Sequence, residues 1–207
     1  MRGLNLYDAE VRRLLDHGSV LLLRPIAPQP QSPCSHVELL RDGGRVDWIA
    51  GDNTGRVFRC PYGVADEERF VREAWFNNLP EDQDPQHVYY RADPDEPDFD
   101  GETIERDGGG WRSAQHMPEW ASRARVRCEA VVALRLASIE EEQAADAGVP
   151  CLICRKTLVH DCRCTCDDAN YVDDVKHWWD RQHGKRYPAA SNPWVWAALW
   201  RRVEGAA

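Results

Sequence analysis

Residues 123–134 read RARVRCEAVVAL, and they decide the fold class. Arg123, Arg125, Arg127 and Glu129 alternate with Ala124, Val126, Cys128 and Ala130. Successive side chains of a strand point to opposite faces, so this period of two predicts a β-strand over 123–134 with one charged face and one buried face. Three alternating arginines also line positive charge along one side, which makes Arg123, Arg125 and Arg127 candidate contacts for the phosphates of an extended nucleic acid. The competing reading is a solvated face balanced by Glu129 and by acidic residues elsewhere.

Outward from this strand, Trp194 to Val203 is apolar on both sides and predicts a central strand. Between the two, Ser138 and Glu141 form a capping-box pattern opening a helix that ends at Gly148. Tyr171, Val172, Val175, Trp178, Trp179 and Gln182 mark one face of a second helix. The five tryptophans from Trp178 onward therefore read as core, not as stacking platforms. Towards the N-terminus, Asp8 to His17 is a short amphipathic helix stopped by Gly18, and Val20 to Ile26 is a strand. His36 to Leu40 and Arg45 to Ile49 flank a hairpin turn at 42–44, and further strands are expected at Gly55 to Cys60 and Phe70 to Phe76. Residues 77–110 read as an acidic loop insertion broken by a strand at Val88 to Arg91. Many short strands with three helices predict one α+β domain over 1–207 around a barrel-like sheet.

The chain has 207 residues and a net charge of −9. Residues 81–107 hold eleven acids and two arginines, so that one stretch carries the whole net charge and the remainder balances. Repulsion of a polyanion is then weaker than the total implies, because distribution matters more than the sum. Folding of the acidic stretch over the 123–127 arginines would mask them. No apolar run approaches the ~20 residues of a membrane helix, and the N-terminus lacks the apolar centre of an export signal. No membrane partner and a cytoplasmic location are expected. Arginine outnumbers lysine 23 to 3, with no lysine before Lys156.

Five of the eight cysteines fall between Cys151 and Cys166. Cys151 and Cys154 have the spacing with which a tight turn lets two thiolates share a tetrahedral ion, and Cys162, Cys164 and Cys166 follow His160. Cys151, Cys154, Cys162 and Cys164 are the expected ligands of a structural Zn, with Cys166 or His160 as rival fourth ligand. Residues 150–167 then form a zinc-knuckle-like insertion; reduced free thiols or a disulfide are the alternatives.

Several separate segments resemble the ASCH domain family, in order along nearly the whole chain. They are the CPYG at 60–63, FVREAWF at 70–76, YRAD at 90–93, WRSAQHMPEWASR at 111–123, SIEEEQAADAGV at 138–149, WWDRQHG at 178–184 and NPWVW at 192–196. The nearest likeness is to phage and prophage members. The resemblance implies a PUA-like small β-barrel flanked by helices, with a cleft suited to RNA or nucleotides. Biochemically studied relatives include an amidohydrolase of acetylated cytidine and a proposed ribonuclease. The family's lysine and second threonine after the first helix correspond here to Ser19 and Leu22, while Glu73 matches its glutamate. An amide hydrolase needs an activated nucleophile or base beside the carbonyl, and Ser19 has no evident activator. The resemblance therefore implies binding more than catalysis.

Arg24 and Glu73 are the expected cleft residues, the fork of one suiting phosphate or a base edge and the carboxylate of the other an exocyclic amine. A structural ion pair between these two is the bland alternative. Tyr90, Trp111, Arg112, Ser113 and His116 are expected to line the same cleft, with aromatic rings stacking on unpaired bases; a packed loop sealing a barrel end is the other reading. The expected partner is RNA, single-stranded nucleic acid or a modified nucleoside. The rivals are an enzyme, either an amidohydrolase or a ribonuclease using Glu73, and a protein-interaction module working through the acidic and zinc loops.

Overall fold

The computed structural model describes residues 2–34, 37–42, 45–64, 67–77, 83, 87–93, 110–150 and 170–203. Its first half runs β1 (Arg2–Asn5), α1 (Asp8–His17), β2 (Ser19–Pro25), β3 (Glu38–Asp42), β4 (Arg45–Gly51) and β5 (Val57–Val64). Then follow β6 (Glu68–Arg72), β7 (Trp75–Asn77), β8 (Val88–Tyr90), β9 (Arg125–Arg135), α2 (Glu141–Asp146), α3 (Tyr171–His183) and β10 (Trp194–Arg202). The fold is mixed α+β and mostly sheet. No helix among the described residues is long and apolar enough to cross a membrane.

The main sheet has the order β1-β6-β9-β10-β2, with β1 parallel to β6 and the other pairs antiparallel. As its two-sided apolar sequence demands, β10 lies inside this sheet between β9 and β2. Trp194, Trp196, Ala198 and Trp200 enter one core together with Val20 and Leu22 of β2. Val195 and Ala197 enter the other with Leu21 and Leu23, the parity that a strand buried on both faces must show.

The first core is closed by Val11 and Leu14 of α1 and by Ala50, Phe58 and Cys60 of the three-stranded meander β3-β4-β5. The second is closed by Ala144 of α2 and by Val175, Trp178 and Trp179 of α3. All five C-terminal tryptophans are buried, Trp179 and Trp200 completely. At roughly 1.5–3 kcal/mol for a large apolar side chain fully buried, they are major contributors to the fold.

The termini of the helices follow local chemistry. Gly18, at φ 74°, ends α1 by donating its N–H to the Leu14 carbonyl, and the Asn170 side chain caps α3 by accepting from the Asp173 amide. The Ser138 capping box does not form. Leu136 and Ile139 are both buried, which pins 136–138 as a 3-10 turn. The helix instead starts at Glu141, with the Gln143 side chain accepting from the Glu140 amide at 3.2 Å.

One strand goes unread in the sequence, and two other expectations are corrected. β1 joins the sheet although four residues carry no readable alternation. The strand expected at 70–76 is two strands, because Glu73 leaves the ladder: its amide meets the Met117 sulfur at 3.4 Å and its carboxylate is taken by Arg123. β9 starts at Arg125, so Arg123 precedes it and does not share its outer face. The acidic stretch 77–110 falls mostly outside the described residues; the four expected zinc ligands, Cys151, Cys154, Cys162 and Cys164, and their rivals Cys166 and His160 fall wholly outside them.

Candidate functional site

β1 and β2 are the two edges of the five-stranded order, yet residues 2–7 and Arg24 line one cleft of about 720 Å³. Both edge strands thus contribute to one cleft, and they do not pair with each other among the described residues. Pro61 and Tyr62 of β5, Ala74, residues 111–115 and His183 of α3 complete the walls. The size falls within the range of small-ligand sites.

Six arginines line the cleft, Arg2, Arg24, Arg69, Arg72, Arg91 and Arg112, and no carboxylate appears among its described lining residues. Three are partly neutralised from behind. Arg24 is held by Glu10 at 2.6 and 2.8 Å, Arg69 by Glu67 at 3.0 Å and Arg91 by Asp8 at 2.8 Å. Arg2, Arg72 and Arg112 have no carboxylate partner among the described residues. Among the described residues, positive charge without a carboxylate partner is thus gathered at a concave surface, which attracts anions and focuses their approach.

Local structure places each of these groups. Arg72 leaves β6 and crosses β1 at Gly3, where a β-carbon would fall onto its side chain. Arg112 pairs backbone to backbone with Trp75 of β7, and its guanidinium lies 5.1 Å from the centre of the Trp75 ring. That bridge brings Trp111, Arg112 and Ser113 to the rim. Arg24 lies 4.9 Å over the ring of Tyr7, and Tyr7 packs edge-on against Trp178 and His183. Burial, then the charge of Arg24, pushes the His183 imidazole down to about 4, so it is neutral at pH 7. Among the described residues its Nε2 is buried without a hydrogen-bond partner, as are Nε of Arg69 and Nε of Arg72. A buried polar atom left unpaired in this way costs hydrogen-bond energy that a polar ligand could restore.

Arg24 and Glu73 do not share this site, nor do they pair with each other. Glu73 is buried and absent from the lining, gripped by Arg123 through two bonds of 2.9 Å. Arg123 also takes Asp93 at 2.7 Å and lies 4.0 Å over the ring of Tyr90. Burial raises the Glu73 carboxyl to about 7, with Arg123 pulling it back. Tyr90 donates to the Ala121 carbonyl at 2.9 Å and belongs to this cluster, outside the cleft lining. Of the remaining expected residues, Trp111, Arg112 and Ser113 do line the cleft, and His116 lies outside it against Gln115. Ser19 stands at the far end of β2 from Arg24, and Leu22 is core. Arg125 and Arg127 are exposed and paired with Glu119 at 3.5 Å and Glu68 at 2.7 Å.

Arg2, Arg69, Arg72, Arg91, Tyr62 and His183 do not stand out in the sequence. A signal exists for one of them. His183 lies four residues after Trp179, on the buried face of its helix, where an imidazole needs a partner. The arginines come from separate segments and become a group only when β1 pairs with β6. No protein-family model, curated protein or solved structure matches the chain, so these residues are assigned from their geometry alone.

Proposed function

We propose that the chain is a nucleic-acid-binding domain of ASCH, PUA-like type, and that the arginine-lined cleft is where RNA, single-stranded nucleic acid or a modified nucleoside binds. The observation that carries this reading is six arginines around one concave surface with no carboxylate among its described lining residues. Arginine forks suit phosphate oxygens, and the half-buried Trp111 with Tyr62 offers ring faces for unpaired bases. A mostly-sheet α+β fold in which both edge strands border one cleft is compatible with the PUA-like assignment. Arg125 and Arg127, each paired with a carboxylate, lie outside the cleft lining and are not part of this site. Arg24 acts from the cleft wall, while Glu73 is structural.

Binding needs no nucleophile, and the loss of the family's lysine at Ser19 is consistent with that. The test is a fluorescence-anisotropy titration of single-stranded RNA, single-stranded DNA and their duplexes at low salt, followed by a gel of the same samples. The reading requires binding without cleavage, weakened at least tenfold by Arg112→Ala. Binding that Arg112→Ala leaves unchanged, or cleavage abolished by Glu73→Gln, contradicts it. A structural Zn held by Cys151, Cys154, Cys162 and Cys164 belongs to the same proposal, resting on spacing; the purified chain should carry one Zn per molecule, and the quadruple serine variant none.

A further inference from the structure

Arg24 commits only one end of its guanidinium to the protein. Nη1 donates to Glu10 at 2.6 Å and to the Leu23 carbonyl at 3.0 Å, and Nη2 donates to the second Glu10 oxygen at 2.8 Å. Nε–H and the neighbouring hydrogen of Nη2 remain, side by side on one edge of the planar group, and neither has an acceptor among the described residues. Arg24 is 7% exposed, and the space it borders is the cleft. Glu10 cancels its charge and fixes its plane, so the free edge is a rigid two-pronged donor without excess charge.

Three rings stand around this donor. The guanidinium lies 4.9 Å over Tyr7, whose ring centre is 6.4 Å from that of the His183 imidazole. Tyr62 shares the strand parity of Phe58 and Cys60, and Arg24 that of Val20 and Leu22, and all four of those partners enter the same core. The charge of Arg24 is felt at both His183 and Tyr62. Burial keeps the imidazole neutral at pH 7 and raises the phenols of Tyr7 and Tyr62, so they stay protonated. Nε2 of His183 is buried with no partner among the described residues. This end of the cleft is therefore polar and uncharged.

We infer that it is a subsite for a single unpaired base that offers two adjacent acceptors, N7 and O6 of guanine or N3 and O2 of cytosine, to the free edge of Arg24. The inference rests on the nucleic-acid reading above. A phosphate gains little against a desolvated pair whose charge is already balanced, whereas Arg72 and Arg112 have no carboxylate partner among the described residues. Adenine sets its N6 donor beside N7 and beside N1, and uracil sets N3–H between its carbonyls, so either would place a donor against the two donors of Arg24. His183 Nε2 adds one polar contact, as donor or acceptor according to its tautomer.

The experiment uses four ten-nucleotide oligouridines with a 5′ fluorescent label, differing only in whether the fifth base is A, C, G or U. The full chain should bind the G or the C form at least about fivefold more tightly than the A and U forms; which of the two it prefers assigns the edge that is read. Arg24→Lys, which keeps a positive charge beside Glu10 and loses the fork, should bring all four within twofold of each other. His183→Phe, which keeps a buried ring and removes its nitrogens, should weaken the preferred form at least threefold with the U form unchanged, and serves if Arg24→Lys does not fold. Equal binding of all four, each weakened by Arg112→Ala, overturns the base subsite and leaves the nucleic-acid reading standing. A preference for A or U, or one that survives both Arg24→Lys and His183→Phe, overturns the assignment. No binding of any form overturns the nucleic-acid reading itself, and this inference with it.

Discussion

Glu10 and Glu73 are gripped in the same way and end in different places. Each is 1% exposed, and each takes two hydrogen bonds from one arginine, Arg24 or Arg123. The Glu73 cluster adds Asp93 and the ring of Tyr90 around its arginine and contributes nothing to the cleft lining. The Glu10 pair stands in the cleft wall, with Arg24 beside Tyr7 and with Arg2, Arg72 and Arg112 lacking carboxylate partners among the described residues. The difference teaches which arginines to credit with function. A buried arginine matched by acids organises the fold, and an unmatched arginine at a concave surface marks where an anion goes.

The largest break in this comparison is removal of Glu10. Its carboxylate also accepts from the Tyr7 amide, so Glu10→Ala leaves Arg24 buried and uncompensated and uncaps α1. Breaking a buried pair on one side costs about 3–5 kcal/mol, and urea unfolding should show a loss of that order. Glu73→Ala should cost less, about 2–3 kcal/mol, since Arg123 keeps Asp93 as a second partner and is partly exposed. It should leave nucleic-acid affinity within twofold. A loss of affinity at unchanged stability would return Glu73 to the binding site.

A smaller effect sharpens the contrast through pH. The raised Glu73 carboxyl favours the folded state below its unfolded value of 4.5, and that contribution disappears as pH rises to about 7. His183 has the opposite sign, because its lowered value means that stability present above 6.5 is lost as pH falls towards 4. Melting curves across pH 4–7 should therefore show Glu73→Gln losing most against wild type at the acid end. His183→Gln should fare best against wild type there. Parallel curves for either variant would remove its assigned environment.

The sequence is informative where one element decides its own structure. Asp8–His17 needs only its apolar spacing and Gly18 to be read as a helix, and β10 declares its central place by being apolar on both faces. The site is less legible because its logic is long-range. Glu10 and Arg24 are 14 positions apart, and Glu73 and Arg123 are 50 apart, so no local pattern says which acid each arginine takes. The alternating arginines of 123–127 are visible, but the break before Arg125 that turns Arg123 inward depends on Glu73. β1, too short to show a period, is the strand whose addition at the edge of β6 creates the cleft.

The most direct measurement is the salt dependence of single-stranded RNA affinity for wild type, Arg72→Gln/Arg112→Gln and Arg125→Gln/Arg127→Gln. Removing one arginine–phosphate pairing lowers the slope of log affinity against log salt by about one. The account predicts that the slope of the cleft variant falls by about two while that of the strand-face variant stays close to wild type. The reverse pattern would place the nucleic acid on the outer face of β9 and contradict the cleft as the binding site.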